Sequence, residues 1–252
     1  PPRSTLFPYT TLFRSVTPGE PTSYSAVISM PGVDRIFLHC PGANDTFGSA
    51  DLPDSALAGA ALLHLGYPPI MRRMFADGGV ELADIMQRAR RLGLTTSLDM
   101  AMPDPAAPSG RADWGSLLRR VLPQVDIFAP SLDEILFMLD PARPPAAADG
   151  PLLARTAQRL LDMGPAVVAL KLGDKGLYLR TARDPARLAA TGACRLDDSW
   201  LGRELLAPCF AVDLVGATGA GDCTIAGLLS AIVAGRAAPD AATAAVAVGA
   251  CN

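Results

Sequence analysis

The chain has 252 residues, 50% of them hydrophobic and 19% charged, enough apolar material for a large core and too much for a disordered protein. Its formal net charge of -3, with Lys and Arg scattered, leaves no basic footprint for nucleic acid, and no uninterrupted apolar run is long enough to span a bilayer. Cys40, Cys194, Cys209, Cys223 and Cys251 are odd in number, lack a CxxC pair and have only His39 and His64 as imidazole company, which argues against a disulfide framework or a zinc site; with no bilayer-spanning run and no evident signal peptide, a cytoplasmic location is the default expectation.

At the N-terminus, Thr5 to Ser15 matches the conceptual translation of a common sequencing adapter, so residues 1–15 are read as non-native and the native chain as starting near Val16. Two β-type runs, Ser25 to Met30 and Arg35 to Cys40, flank the turn formers Pro31-Gly32-Val33-Asp34 and predict a hairpin. Pro41-Gly42-Ala43-Asn44-Asp45 then leaves as a loop.

Beyond it, strands and helices alternate. Ala60 to Leu65 reads as strand, Val80 to Leu92 as helix, Leu94 to Leu98 as strand, and Trp114 to Leu122 as helix. Asp126 to Ala129 is a short strand, Leu132 to Leu139 and Leu152 to Met163 are helices, and Ala166 to Lys171 is a strand. Such alternation implies a mainly parallel sheet with helices on both faces. Pro141 to Gly150 is Pro- and Ala-rich and reads as a surface connection, while the weakly patterned Arg180 to Ala207 suggests hairpins and loops. Ala241 to Ala250 reads as a small-residue helix; the chain then stops at Cys251-Asn252 without a polar tail, so it is read as a fragment open at both ends.

Ligands of open α/β sheets sit outside the carboxyl ends of the strands. Asp99, Ser131, Glu134 and Gly173 follow predicted strands and are candidates on that ground. Asp99 faces a substrate cleft or caps the turn at Pro103; Lys171 ends a strand near phosphates or is a solvated charge; Glu134 serves a site or is an exposed first-turn acid. His39 and His64 lie inside apolar strands and read as packed rather than catalytic, and Cys223 reads as a small helix-start residue.

The most informative stretch is Gly219-Ala220-Gly221-Asp222, a glycine turn set against an acid where the apolar helix Cys223 to Gly235 begins. Glycines let backbone N–H groups approach a ligand, and the helix adds the positive end of its dipole, which suits a phosphate. A carboxylate there would repel a phosphate unless it takes a proton from an attacking hydroxyl, so the combination points to phosphoryl transfer. The same residues also suit a plain strand-to-helix turn with an acid in the first helical turn. Gly216 to Asp222 lacks the Lys of a P-loop, and Thr224 stands where the third glycine of a dinucleotide fingerprint belongs, which excludes the first class and weakens the second.

Gly219-Ala220-Gly221-Asp222 with its Ala/Gly/Leu-rich helix resembles the signature of the ribokinase-like, or PfkB, carbohydrate kinase family. Gly42-Ala43-Asn44 resembles the loop after that family's lid strands, Pro130-Ser131-Leu132-Asp133-Glu134 its NxxE segment, Lys171 to Gly176 its nucleotide-side turn, and Ala241 to Asn252 its adenine-side helix. The order is the family's, from about Thr22 to Asn252. The resemblance implies a ribokinase-like, mostly parallel sheet flanked by helices, with an incomplete small β lid over about residues 22–44 and a core over about 50–252.

It further implies ATP and Mg²⁺, a sugar or polyol acceptor, Asp222 as the base, and Gly219, Ala220 and Gly221 as the anion hole. Lys171, Gly173, Gly176, Thr218 and Asn252 would lie on the nucleotide side, Glu134 (through water) and Ser131 at the metal, and Asn44 and Asp99 on the substrate side. A homodimer through the lid near Ser25 to Cys40 is a further implication. Two positions depart from the pattern: Gly216 and Ala217 stand where the family has Asp-Thr, with Asp213 lying earlier, and Ser131 replaces an Asn. Two other expectations stay open, a nucleoside kinase of the same fold and a non-catalytic nucleotide-binding fragment.

Overall fold

A computed structural model of the chain describes residues 16–28, 36–141, 148–212, 216 and 218–251. The adapter-like segment 1–15, the hairpin turn at Pro31 to Asp34, most of the Pro141 to Gly150 connection, Asp213 and Asn252 lie outside the described residues.

Strands β1 (Tyr24–Ile28) and β2 (Ile36–Cys40) form a two-stranded antiparallel sheet in the register Tyr24↔Cys40 to Ile28↔Ile36. Within it Ser25 Oγ and His39 Nδ1 are hydrogen-bonded across the strands at 2.8 Å. Its base is tied down by a 3-10 turn, Gly42–Asn44, where the amide of Ala43 donates to the carbonyl of Pro21 at 2.9 Å.

The main body follows as short helices α1 (Asp54–Leu57) and α2 (Arg72–Phe75) around strand β3 (Leu62–Leu65), then helix α3 (Val80–Arg91), strand β4 (Thr95–Leu98) and helix α4 (Trp114–Val121). Strand β5 (Ile127–Phe128), helices α5 (Leu132–Leu139) and α6 (Gly150–Leu161) and strand β6 (Val167–Lys171) complete the parallel part. Strand β7 (Leu177–Thr181), helix α7 (Pro185–Ala189) and strand β8 (Glu204–Ala207) lead to α8 (Ala220–Val233) and α9 (Ala238–Ala250). The six strands lie in the order β3-β4-β5-β6-β7-β8; β3 to β6 run parallel, β7 pairs antiparallel with β6, and β8 antiparallel with β7.

This order decides the layering. Each crossover among the four parallel strands steps in the same direction, and right-handed crossovers then deliver their helices to one face. Leu98, Phe128, Val168 and Leu170 point into that layer, against Leu82, Ile85 and Met86 of α3, Leu117 and Leu118 of α4, Ile135 of α5 and Leu160 of α6. Their neighbours Ile127, Val167 and Ala169 point to the opposite face by strand alternation, where α8 and α9 cover them with Ile225, Leu228, Ala241, Ala245 and Val246. The two covering helices touch through small residues: a Cβ built at Gly227 would lie 2.8 Å from the carbonyl oxygen of Ala244. Such close contact lets the apolar α8 lie flat and brings its N-terminus to the sheet end where β3 to β6 finish.

The alternation read from the sequence is thus present as a mixed sheet. In Arg180 to Ala207 the expected hairpin is β7 with β8, but the segment between is ordered rather than loose. Thr95 Oγ1 donates to the carbonyl of Thr191 at 2.9 Å and accepts from the amide of Cys194 at 2.8 Å, pinning it under the sheet. The helix read from Cys223 begins three residues earlier, at Ala220, so Gly221 and Asp222 belong to the helix itself and Gly219 is its N-cap.

Candidate active site

Four parallel strands end side by side, and each delivers polar groups to the same place. Gly66 and Tyr67 follow β3, Asp99 follows β4, Ser131 and Glu134 follow β5, and Lys171 closes β6. Ser131 and Lys171 are bridged in parallel register, with the amide of Lys171 donating to the carbonyl of Pro130 at 3.0 Å.

Lys171 is not a solvated charge: its side chain is 10% exposed and its Nζ donates to both carboxylate oxygens of Asp99, at 2.7 and 2.8 Å. Asp99 is 1% exposed, and burial, with the nearby Glu134 carboxylate adding to it, pushes its carboxyl up to about 7 against the pull of Lys171. It pairs with Lys171 rather than capping the turn at Pro103. Glu134 stands in the first turn of α5 and is half-buried, reaching back to accept the amide of Ser131 at 2.7 Å. Burial raises its carboxyl, with Lys171 opposing.

The α8 N-terminus completes the cluster. Gly219 precedes the helix with φ 86, a left-handed conformation that glycine adopts without strain, and the carbonyl of Gly219 accepts the first helical bond from Cys223 at 2.8 Å. The amides of Ala220, Gly221 and Asp222 therefore begin the helix without intrahelical acceptors. Gly221 is exposed, and a Cβ there would lie 3.9 Å from Cδ and Nζ of Lys171. A buried ammonium beside the positive end of a helix repels it unless a negative group lies between or behind; Asp99 supplies part of that charge, and an incoming phosphate would supply more.

Asp222 is exposed at the third helical position, where it accepts a hydrogen bond from the Tyr67 phenol. That phenol is pushed above the ordinary tyrosine range by burial, by its bond to Asp222, and by the Asp222, Asp99 and Glu134 charges. His64, on edge strand β3, is hydrogen-bonded to Ser97 Oγ at 3.0 Å and is exposed rather than packed. Neighbouring groups still shield part of its ring from water, and that desolvation, with Lys171, lowers its pKa, while Asp222 raises it.

Asp99, Lys171, Glu134, Ser131, Gly221 and Asp222 are thus brought to one sheet end. Gly173 and Gly176 form the β6–β7 turn directly beyond Lys171. Gly176, at φ 96, sits so close to Ala207 that any Cβ would collide with its carbonyl oxygen. Thr218 is exposed immediately before Gly219. Asn44 is in the 3-10 turn after β2, next to Asp45, whose carboxylate accepts the amide of Arg72 at 3.0 Å; no hydrogen bond joins Asn44 to the cluster among the described residues. Tyr67 is the member that sequence reading missed, and His64, read there as packed, borders the cluster as well. The rule that selected Asp99 would have found Tyr67 had it been applied to the strand ending at Leu65.

The chain belongs to the pfkB family of carbohydrate kinases, whose model matches residues 11–252. No curated protein sequence matches it. Among solved structures it is similar to a ribokinase of Arabidopsis thaliana complexed with ribose and ATP (TM-score 0.65, 18% identity, covering 92% of this chain and 63% of that one). It is also similar to a putative ribokinase II of E. coli in complex with ATP and Mg²⁺ (TM-score 0.61, 20% identity, 90% and 63%). A third is the aminoimidazole riboside kinase of Salmonella enterica complexed with aminoimidazole riboside and an ATP analogue (TM-score 0.57, 20% identity, 85% and 63%). At these identities the likeness is one of fold, and the chain spans less than two thirds of each of these proteins, 63% in every case.

Proposed function

We propose that this pfkB-family chain is the catalytic part of an ATP-dependent kinase that phosphorylates a hydroxyl group of a sugar or related polyol. The observation that carries the reading is the meeting of Asp222 with the open N-terminus of α8, beside Lys171 and at the carboxyl ends of four parallel strands. Phosphoryl transfer asks chiefly for positioning and for fixed donors where charge accumulates. The amides around Gly219, Ala220 and Gly221 are such donors. Asp222 takes the proton of the acceptor hydroxyl as its oxygen bonds to the γ-phosphorus of ATP and the bond to the bridging oxygen of ADP breaks.

Lys171, held by Asp99, adds positive charge on the phosphate side, and the Gly173–Gly176 turn with Thr218 serves the nucleotide; Asn252, outside the described residues, is assigned to the nucleotide side by the family resemblance alone. Magnesium, when bound, neutralises phosphate charge. Glu134 and Ser131 would hold its water shell, and their oxygens are the hard donors it prefers. No group of three or more His, Cys, Asp or Glu able to cage a bare metal occurs among the described residues, which fits an ion carried largely by phosphates and water. Asp99 and Asn44 fall to the acceptor side, and the β1–β2 hairpin acts as a lid that shields the transfer from water.

The hairpin exposes Tyr24 (64%), Leu38 (58%) and Val27 (47%), which supports pairing through it with a second copy; light scattering that finds only monomer removes that part. A nucleoside acceptor is the second reading, supported by likeness to the Salmonella riboside kinase. The deciding experiment measures ATP-dependent phosphorylation across a panel of sugars and nucleosides, with Asp222→Asn as control. Turnover that falls by about 10²- to 10⁴-fold in Asp222→Asn, with ATP still bound, supports the reading. ATP binding without turnover on any acceptor leaves a nucleotide-binding module instead, and an active Asp222→Asn removes the base.

A further inference from the structure

We infer that Tyr67 is a positioning residue for the base: its phenol holds one oxygen of the Asp222 carboxylate so that the other is presented to the acceptor hydroxyl. The inference rests on the proposed function, in which Asp222 is the base.

The geometry is unusual for a surface contact. Tyr67 bonds to a residue 155 positions away, across the gap between the end of β3 and the start of α8. Its backbone is left-handed, at φ 61 and ψ 42, a conformation that bulky side chains rarely adopt. Pro68 and Pro69 follow and are buried, and the carbonyl of Tyr67 accepts the amide of Ile70 at 3.1 Å. Two rigid prolines thus anchor the main chain while the strained residue aims its phenol outward at Asp222.

The bond also answers a conflict inside the α8 N-terminus. A carboxylate at the third helical position is drawn to the free amides of its own first turn, the donors that the transferring phosphoryl needs. A phenol that grips the carboxylate from the β3 side draws it away from those amides and fixes one rotamer. Tyr67 stays protonated for this task, because burial and the surrounding carboxylates of Asp222, Asp99 and Glu134 all disfavour the phenolate. The cationic Lys171 and the imidazole of His64 share the same space, and Cys223 adjoins the base in sequence.

The test pairs an equilibrium readout with a kinetic one. In protein labelled with ¹³C at tyrosine Cζ, the resonance absent from Tyr67→Phe identifies Tyr67, and its titration is compared between wild type and Asp222→Asn. The phenol should ionise at higher pH in wild type, and coincident titrations overturn the inference whether or not the chain turns over. In steady-state assays Tyr67→Phe should lower kcat by about tenfold, the worth of one hydrogen bond to a charged group, with KM for ATP unchanged. A wild-type kcat in Tyr67→Phe overturns the inference and leaves Asp222 to be judged by its own Asn variant. A shifted phenol in a chain without turnover on any acceptor overturns the kinase reading, and the positioning role with it.

Discussion

Just before β5, at the amino end of the parallel strands, Asp126 is fully buried and fully engaged. Arg90 Nη1 reaches it at 2.8 Å, both terminal nitrogens of Arg187 at 3.0 Å, and the amide of Thr96 at 2.9 Å. Just after β4, at the carboxyl end, Asp99 is equally hidden, yet beside the Met100 backbone its only cationic partner among the described residues is the flexible ammonium of Lys171, and the Glu134 charge opposes it. The first carboxylate is saturated by planar, fixed guanidinium donors and has no capacity left for a ligand. At the second, the Lys171 ammonium also adjoins a helix N-terminus, so further negative charge is welcome there. Burial strengthens both sets of interactions; the count of partners decides which end is scaffold and which can act.

The largest effect should come from breaking the saturated end. Asp126→Ala leaves the partly buried Arg90 and Arg187 side by side without a counter-charge and should destabilise the fold by about 3 kcal/mol or more in urea unfolding, with calorimetric ATP affinity unchanged in the folded fraction. A change below about 1 kcal/mol would mean that the two ends do not differ as described.

Next in size, Lys171→Met should lose about 3 kcal/mol near neutral pH and weaken nucleotide binding as well. Its loss depends on pH with a definite sign. The folded Asp99 carboxyl, at about 7 against an ordinary 3.8, binds its proton more tightly than the unfolded chain does. Its contribution to stability is complete below the unfolded value and is lost as pH rises through the folded one. Wild-type stability from Asp99 therefore declines between those limits, and the gap between wild type and Lys171→Met should narrow on acidification from about pH 8 to about pH 5. A gap that widens on acidification overturns this account of the pair.

The smallest of the three effects is Gly176→Ala, at the active end. A left-handed alanine whose Cβ collides with Ala207 should lower stability by about 2 kcal/mol and displace the turn beyond Lys171. ATP affinity should fall in parallel, whereas Asp126→Ala leaves it intact. Calorimetry on both variants separates a turn that serves the nucleotide from one that serves only the fold.

The longer elements were legible because their signals are local. Val80–Arg91 and Trp114–Val121 repeat apolar residues at helical spacing, β6 is a continuous apolar run from Val167 to Leu170, and Gly219 needs no neighbour to announce a left-handed turn. Strand-end logic likewise picked out Asp99, Ser131, Glu134 and Gly173, and left Lys171 between a phosphate contact and a solvated charge. It gave no partners: Lys171 and Asp99 are 72 residues apart, and nothing in either neighbourhood names the other. Tyr67 escaped notice behind Gly66, because an aromatic residue before two prolines reads as an ordinary turn. His64 looked packed in an apolar strand, and is exposed because β3 is an edge strand, a fact about sheet order.

By itself, then, the sequence determined the α/β class, the family and the acid at the helix start, all properties carried by periodicity, turn glycines and a short contiguous motif. Only the tertiary structure decided that Lys171 leans on Asp99 beside Gly221, that Asp126 is shared by two arginines, and that Tyr67 reaches Asp222. Those pairings depend on which strands lie side by side and on where the packing of α8 against α9 sets the helix N-terminus, and long-range packing of this kind leaves no local trace in the chain.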